Sequence, residues 1–366
     1  MHSGKLPATK QGGLPISDAL KAAIPKLPGG KLIDEPGVYV LPYNVYHLDP
    51  CVMPSLSSTA VRTALNESMW HLWTNHPRLN PGFQPTHKKQ FDLGHCSHQL
   101  VLMDGARLEV IDAPDYVKRK VFDPGPVRDA AYLRGDTPLL RHQYDNAAKM
   151  AQAAMRQIER SEHHSHAFQI GQGLAEVAAF WQAPNGVWCR ALLDWLVLAE
   201  PFINSSRTSA LTYKIDLPQS GKWDLYDYKW TGTNANPIYY GQHASAMGYH
   251  IQDAFHSMCL SGATGVHFEN INFWLCAQEC DLPHALSFMK FKDQARQEAL
   301  DEVTRVIELF GQCMMAGSFP GYHLGGAEID LSPTARYRAQ DRWESDAWDP
   351  KMLQASMDAF APLMIE

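Results

Sequence analysis

The sequence predicts an α/β domain with a central mixed β-sheet flanked by helices, and three observations carry that expectation. Trp223 to Trp230 is a run of aromatic and aliphatic residues that reads as a short buried strand. Ala175 to Gln182 and Val187 to Leu198 read as two strands joined by a turn at Pro184-Asn185-Gly186. Apolar residues at helical spacing mark helices on both sides of these strands, at Leu139 to Glu162, Ile238 to Leu260 and Asp293 to Met315.

The chain of 366 residues is 45% hydrophobic, enough for a sizeable core in one large or two ordinary domains. A formal net charge of −7 excludes a generally basic protein, so any nucleic-acid contact must use a local groove. Met1 to Gly30 is polar and rich in Gly, Pro and Lys, without the apolar run of a signal peptide, and no membrane span is expected. The seven cysteines are scattered and odd in number. Cys276 and Cys280 have no second pair at zinc-ribbon spacing, so the cysteines read as reduced thiols in a cytoplasmic protein. Residues 1–36 are expected to form a flexible leader. Residues 37–366 are expected to form one domain, with a helical N-terminal part (37–165) and a catalytic core (170–316).

In order, Gly37 to Leu48 turns apolar and should join the fold. Ser57 or Ser58 caps a helix from Thr59 to Leu65, and Met69 to Trp73 continues as a second. Asp92 to Met103 reads as a helix. Tyr116 to Leu140 carries Lys118, Arg119, Lys120, Arg128 and Arg134 among prolines and glycines. It reads as a loop region, either facing DNA or merely solvated. His163-His164-Ser165-His166 suggests metal, although an exposed helix terminus is the plainer reading. Ala210 to Ile215, Val266 to Ala277 and Ala285 to Phe291 are further strands, and no internal repeat is found.

The chemistry gathers at Asp227 and Lys229. Residues two apart on a strand share a face, so a carboxylate and an ammonium stand side by side at its C-terminal end. Such a carboxylate can hold a hard cation, and the lysine can orient or deprotonate a water or neutralise developing charge; the plainer reading of the pair by itself is a cross-face ion pair ending an ordinary strand. Asp224 points to the opposite face. Asp194 lies in the otherwise apolar Cys189 to Trp195, where a charge must bind metal, pair with Arg190 or cap the strand. Glu176 lies on the first strand of the hairpin, and His98 could offer a nitrogen ligand. His95 and Asp92 make a rival zinc-like cluster with it. Tyr249, Gln252 and His256 form a polar ridge opposite the apolar stripe of Ile251, Ala254, Phe255 and Met258.

The order His98, Glu176, Asp194, Asp227-Tyr228-Lys229, Gln252 resembles the PD-(D/E)xK nuclease superfamily. More closely, it resembles the RecE-type exonuclease domain of phage recombination systems. The matching strings are Asp92 to His98, Cys189 to Asp194, Asp227 to Thr231, and Tyr249 to Phe255, with Phe319-Pro320-Gly321-Tyr322 and Leu331-Ser332-Pro333 in the tail. The resemblance spans roughly Tyr43 to Trp343 and implies a restriction-endonuclease-like core. It implies that His98, Asp194 and Asp227 bind a divalent metal, with the Tyr228 carbonyl as a further oxygen. Lys229 would act on the attacking water, Gln252 would support the site, and Glu176 would add a carboxylate. Two departures stand out. His256 replaces the family tyrosine, and the segment from Asp194 to Asp227 is long, which leaves Asp216 and Asp224 as competitors for the ligand role.

The function expected is a magnesium-dependent exodeoxyribonuclease, with manganese as a substitute, acting on double-stranded DNA ends. The resemblance further implies 5′-to-3′ direction, a homo-oligomer and a single-strand annealing recombinase as partner. Two rivals come from other classes. One is a decayed nuclease fold used for DNA binding or assembly. The other is a zinc hydrolase built on His95, His98 and the histidines at 163–166.

Overall fold

The computed structural model describes residues 32–84, 89–102, 107–112, 123–169, 171–197, 213–215, 217, 221–322, 324–326 and 328–337. The chain divides into two compact units, Met1–Gly321 and Tyr322–Glu366.

In the first unit, β1 (Gly37–Val40) and α1 (Tyr43–His47) precede β2 (Ser55–Leu56), α2 (Ser58–Asn66) and α3 (Met69–Asn75). Ser57 and Ser68 cap α2 and α3, each hydroxyl accepting a backbone N–H that the helix itself cannot pair. There follow α4 (Lys89–Val101), β3 (Leu108–Ile111), α5 (Gly125–Arg134), β4 (Thr137–Leu140) and α6 (Arg141–Glu159). The hairpin β5 (Gly173–Gln182) and β6 (Trp188–Val197) comes next, then β7 (Tyr213–Ile215) and β8 (Trp223–Thr231). The unit closes with α7 (Pro237–Ala246), α8 (Tyr249–Thr264), β9 (Ile271–Glu279), β10 (Leu286–Met289) and α9 (Asp293–Ala316).

The main sheet runs β10-β9-β8-β6-β5-β1-β7, with β2 pairing β6 off this path, and β3-β4 is a separate pair. It is mixed: β8–β9 and β2–β6 are parallel and the other pairs antiparallel. Helices cover both faces, which is why the central strands read as nearly continuous apolar runs. On one face Phe255, Leu260, Val303 and Phe310 pack against Leu193, Leu225 and Phe273. On the other, Val101, Leu102, Ala151 and Ile158 pack against Trp195, Tyr226 and Tyr228. β8 lies between these layers, so whatever it carries is held from both sides. The α/β class with a mixed sheet is as the sequence predicts.

Four expectations need correction. Ile238 to Leu260 is not one helix: it breaks at Gly248, whose φ of +69° is left-handed, leaving α7 and α8. The described part of Tyr116 to Leu140 is not loop but α5 and β4, while 113–122 lie outside the described residues. The strand expected from Val266 begins at Ile271, after a 3-10 turn at Phe268–Asn270. Ile33 is buried and bridges Cys51, so the fold begins ahead of the leader boundary at 36; residues 1–31 lie outside the described residues.

In the second unit, residues 333–337 form a short helix, with Ser332 Oγ accepting from Ala335 N and Arg336 pairing with Asp330. Among the described residues no helix is long and apolar enough to cross a membrane.

Candidate active site

The site begins with a fault in the β5–β6 ladder. Ala175 pairs with Trp195 and Val177 with Leu193, so Glu176 stands opposite Asp194, yet that rung is unpaired. Glu176 has φ +49°, a left-handed conformation that an L residue other than glycine adopts only at a cost. The consequence is visible in the packing. Ala175 and Trp195 lie in the α4–α6 layer, whereas Val177 and Leu193 lie in the α8–α9 layer. Ideal alternation would keep each of these strands' odd residues on one face. The phase shifts at this rung and turns two carboxylates out of the regular pattern.

β6 pairs with β8 only as far as Trp195–Tyr226. Beyond that point Asp194 Oδ2 accepts the Tyr228 N–H at 3.0 Å, a side chain taking over from the ladder. Asp227, two residues before Lys229, is nearly fully buried. Lys229 Nζ lies 2.8 Å from Asp227 Oδ1 and 2.8 Å from its Oδ2, and 3.6 Å from Asp194 Oδ2. From α8, Gln252 Nε2 donates to Asp227 Oδ1 at 2.7 Å. Asp227 Oδ2 is buried without a hydrogen bond of acceptable geometry.

His98, on α4, closes the group from the other side. Its Nδ1 lies 2.7 Å from Glu176 Oε1, and its Nε2 lies 3.3 Å from Asp194 Oδ2 and 3.2 Å from the Tyr228 carbonyl. Oxygens on both edges require both nitrogens to donate. Burial would lower the His98 pKa, but Asp194 and Glu176 outweigh it and hold it at about 9. Burial would likewise lower Lys229, and Asp227 and Asp194 outweigh it, so the ammonium keeps its proton.

The sequence candidates thus sort by place. His98, Glu176 and Asp194 bring ligand atoms within 4.8 Å of one another, and Asp227, Tyr228, Lys229 and Gln252 adjoin them. Asp194 does not pair with Arg190, which instead binds Ser55 and Asp49. Asp224 is on the other face, accepting from Asn272 and Trp274. Asp216 lies outside the described residues.

The rival zinc cluster is not assembled: His95 bonds the Tyr43 hydroxyl at 2.8 Å, and Asp92 is buried with Arg128 and Tyr132. His164 is no ligand in an exposed run; it is buried, stacked on Phe288 and bonded to Tyr226. Arg128, expected at a DNA surface, is buried between Asp92 and Gln143. Lys118, Arg119 and Lys120 lie outside the described residues. Of the ridge Tyr249, Gln252 and His256, Gln252 faces the site through Asp227 and the Tyr249 ring lies 5.9 Å from Lys229 Nζ, on a helix buried on almost every side. His256 Nε2 meets Ser58 Oγ at 3.2 Å, tying α8 to the start of α2, and burial lowers its pKa to about 3. Two residues at the site's edge were missed, Tyr43 and Arg62. Both come from early helices, and only the tertiary fold brings them here.

The donors suit a hard divalent cation: carboxylates, one imidazole and one carbonyl. Asp227 Oδ2 is buried and met by the Lys229 ammonium without a hydrogen bond, which leaves its lone pairs able to turn to a cation.

A family model described as a PDDEXK-like domain of unknown function (DUF3799) matches residues 133–329, more than half of the chain. The chain belongs to this family. The PDDEXK-like match takes in Glu176, Asp194, Asp227, Lys229 and Gln252, and leaves His98 N-terminal to it. Among solved structures, the PDDEXK-like chain is similar to a protein of Eubacterium rectale described as a putative exonuclease, with a TM-score of 0.46 and 12% identity. The similarity covers 78% of this chain and 93% of that one, and at this level it carries neither function nor detail. No curated protein matches the chain.

Proposed function

We propose that the protein is a metal-dependent exonuclease that hydrolyses phosphodiester bonds from the ends of double-stranded DNA. The observation that carries this reading is the convergence of His98, Glu176 and Asp194 beside the Asp227–Lys229 pair in a PDDEXK-like fold. Glu176, Asp194, Asp227 and the Tyr228 carbonyl would hold the cation, joined by His98 once its Nε2 proton is displaced. Magnesium, or manganese in its place, would supply Lewis-acid stabilisation of the negative charge that develops on the attacking and leaving oxygens.

The protein's own groups have separable roles. Lys229 keeps its proton between two carboxylates, which favours charge neutralisation and orientation of the attacking water over proton abstraction. Gln252 fixes the Asp227 rotamer by donating to Oδ1, and the Lys229 ammonium meets Oδ2. Glu176 orients His98 through Nδ1.

The likeness of Tyr249 to Phe255 to the RecE-type helix supports 5′-to-3′ direction, a homo-oligomer and an annealing recombinase as partner in the cytoplasm. Digestion of end-labelled linear and covalently closed circular duplexes with magnesium tests this. An exonuclease degrades the linear form, releases 5′ label first and spares circles; rapid cutting of circles would instead make it an endonuclease. The decayed-fold reading would require folded protein that binds DNA and cleaves none.

A further inference from the structure

A cation on α2 has no role in the account so far. Arg62 crosses from α2 to the junction of α7 and α8, where its Nη1 donates to the Met247 carbonyl at 3.1 Å. Its stem runs over Gly248: a Cβ there would lie 2.8 Å from Arg62 Cδ. The left-handed φ of Gly248 and this close approach both call for glycine, and together they fix the path of the arginine. Nη2 has only a long contact, 3.4 Å, to Thr59 Oγ1, and Nε is shielded from solvent without a hydrogen-bond partner. Among the described residues the guanidinium forms no ion pair with a carboxylate. The junction it reaches opens α8, whose Tyr249 ring lies 5.9 Å from Lys229 Nζ and whose Gln252 donates to Asp227. Its donors are therefore under-used beside a site read as a phosphodiesterase centre, and a guanidinium edge matches the paired oxygens of a phosphate.

We propose that Arg62 is a substrate-binding residue whose guanidinium takes a phosphate of the DNA strand adjacent to the one that meets Asp227 and Lys229. The assignment rests on the nuclease reading above. The competing role is structural, with Arg62 serving only to satisfy the last carbonyls of α7.

Affinity for duplex DNA is measured in calcium by fluorescence anisotropy, with the linkages near each end replaced one at a time by uncharged methylphosphonates. Wild type is expected to lose about 10- to 100-fold at a contacted linkage. Arg62→Met, which keeps a stem over Gly248, should lose a similar factor on native duplex and then be indifferent to substitution at one such linkage. Arg62→Lys keeps stem and charge but not the fork, and should fall between the two at that same linkage; it carries the test if Arg62→Met does not fold. The proposal is overturned if the variants bind native duplex like wild type, or stay as sensitive as wild type at every linkage while melting at lower temperature. A wild type that cleaves DNA with magnesium under either of those outcomes leaves the nuclease reading intact. A wild type that neither binds nor cleaves duplex overturns both.

Discussion

Glu176 stands opposite Asp194 across the β5–β6 hairpin at a rung the ladder leaves open, and His98 bridges the two carboxylates. The left-handed backbone of Glu176 is where this geometry is made. It shifts the strand's face alternation by one residue and frees two acidic side chains from the sheet's packing pattern. An observed outlier among acidic groups is a reasonable pointer to function.

The strain at Glu176 separates stability from function. Glu176→Ala and Glu176→Gly both remove the carboxylate, so both should weaken divalent-metal binding. Only glycine relieves the left-handed backbone, so Glu176→Gly should be more stable than Glu176→Ala by about 1 kcal/mol. Urea unfolding of the two variants checks this, and equal stabilities would show that φ +49° is not strained here.

The register of β8 makes a second test. Asp194→Asn and Asp227→Asn should weaken magnesium binding in a calorimetric titration. Asp224→Asn should not, because Asp224 serves Asn272 and Trp274 on the opposite face. Loss of the metal in Asp224→Asn alone would contradict the site as drawn.

Arg128 is buried against Asp92, with side chains 7% and 6% exposed at 3.4 Å. Removing one member of a buried pair leaves the other charge stranded, at a cost of about 3–5 kcal/mol. Arg128→Ala should therefore lower the melting temperature and leave the salt dependence of DNA binding unchanged. A stable variant with a shallower salt slope would restore the DNA-facing role.

How much of this was legible in the sequence varies with the range of the interaction. The hairpin was readable from Pro184-Asn185-Gly186 between two apolar runs, and strand spacing put Asp227 and Lys229 side by side, although only the flanking residues set that pair apart from an ordinary ion pair. Asp194 was marked by its apolar setting. The break at Gly248 was not readable, since one glycine in a helical pattern is tolerated and the Arg62 stem that crosses it comes from distant α2. Arg128 misled because charge and nearby prolines suggest a surface loop, and its partners Asp92 and Gln143 lie on other elements. The phase shift at Glu176 has no sequence signature, because strands covered on both faces are apolar at every position.

Asp253 and Arg296 give a pH-dependent test. Arg296 Nε and Nη2 both donate to the Asp253 carboxylate, and Nη2 also reaches Ser257. Burial, against the pull of Arg296, raises the Asp253 pKa to about 6. The folded carboxyl thus keeps a proton that the unfolded chain releases near pH 4. This group's contribution is fully present below about pH 4 and is lost as pH rises through about 6. In Arg296→Met the carboxylate loses its partner, so the destabilisation should be larger at pH 8 than at pH 5. Equal losses of stability at the two values would contradict the pairing.

The most direct test of the central claim compares wild type with Lys229→Ala on linear duplex DNA in magnesium, with affinity measured alongside in calcium. Lys229 lies within 3.6 Å of Asp194 and 2.8 Å of Asp227, at the point where charge would develop during hydrolysis. The account predicts that wild type degrades the duplex, and that the folded variant binds it nearly as well but cleaves at least about 10²-fold more slowly. Cleavage at the wild-type rate by folded Lys229→Ala, or none by folded wild type in magnesium or manganese, would contradict it.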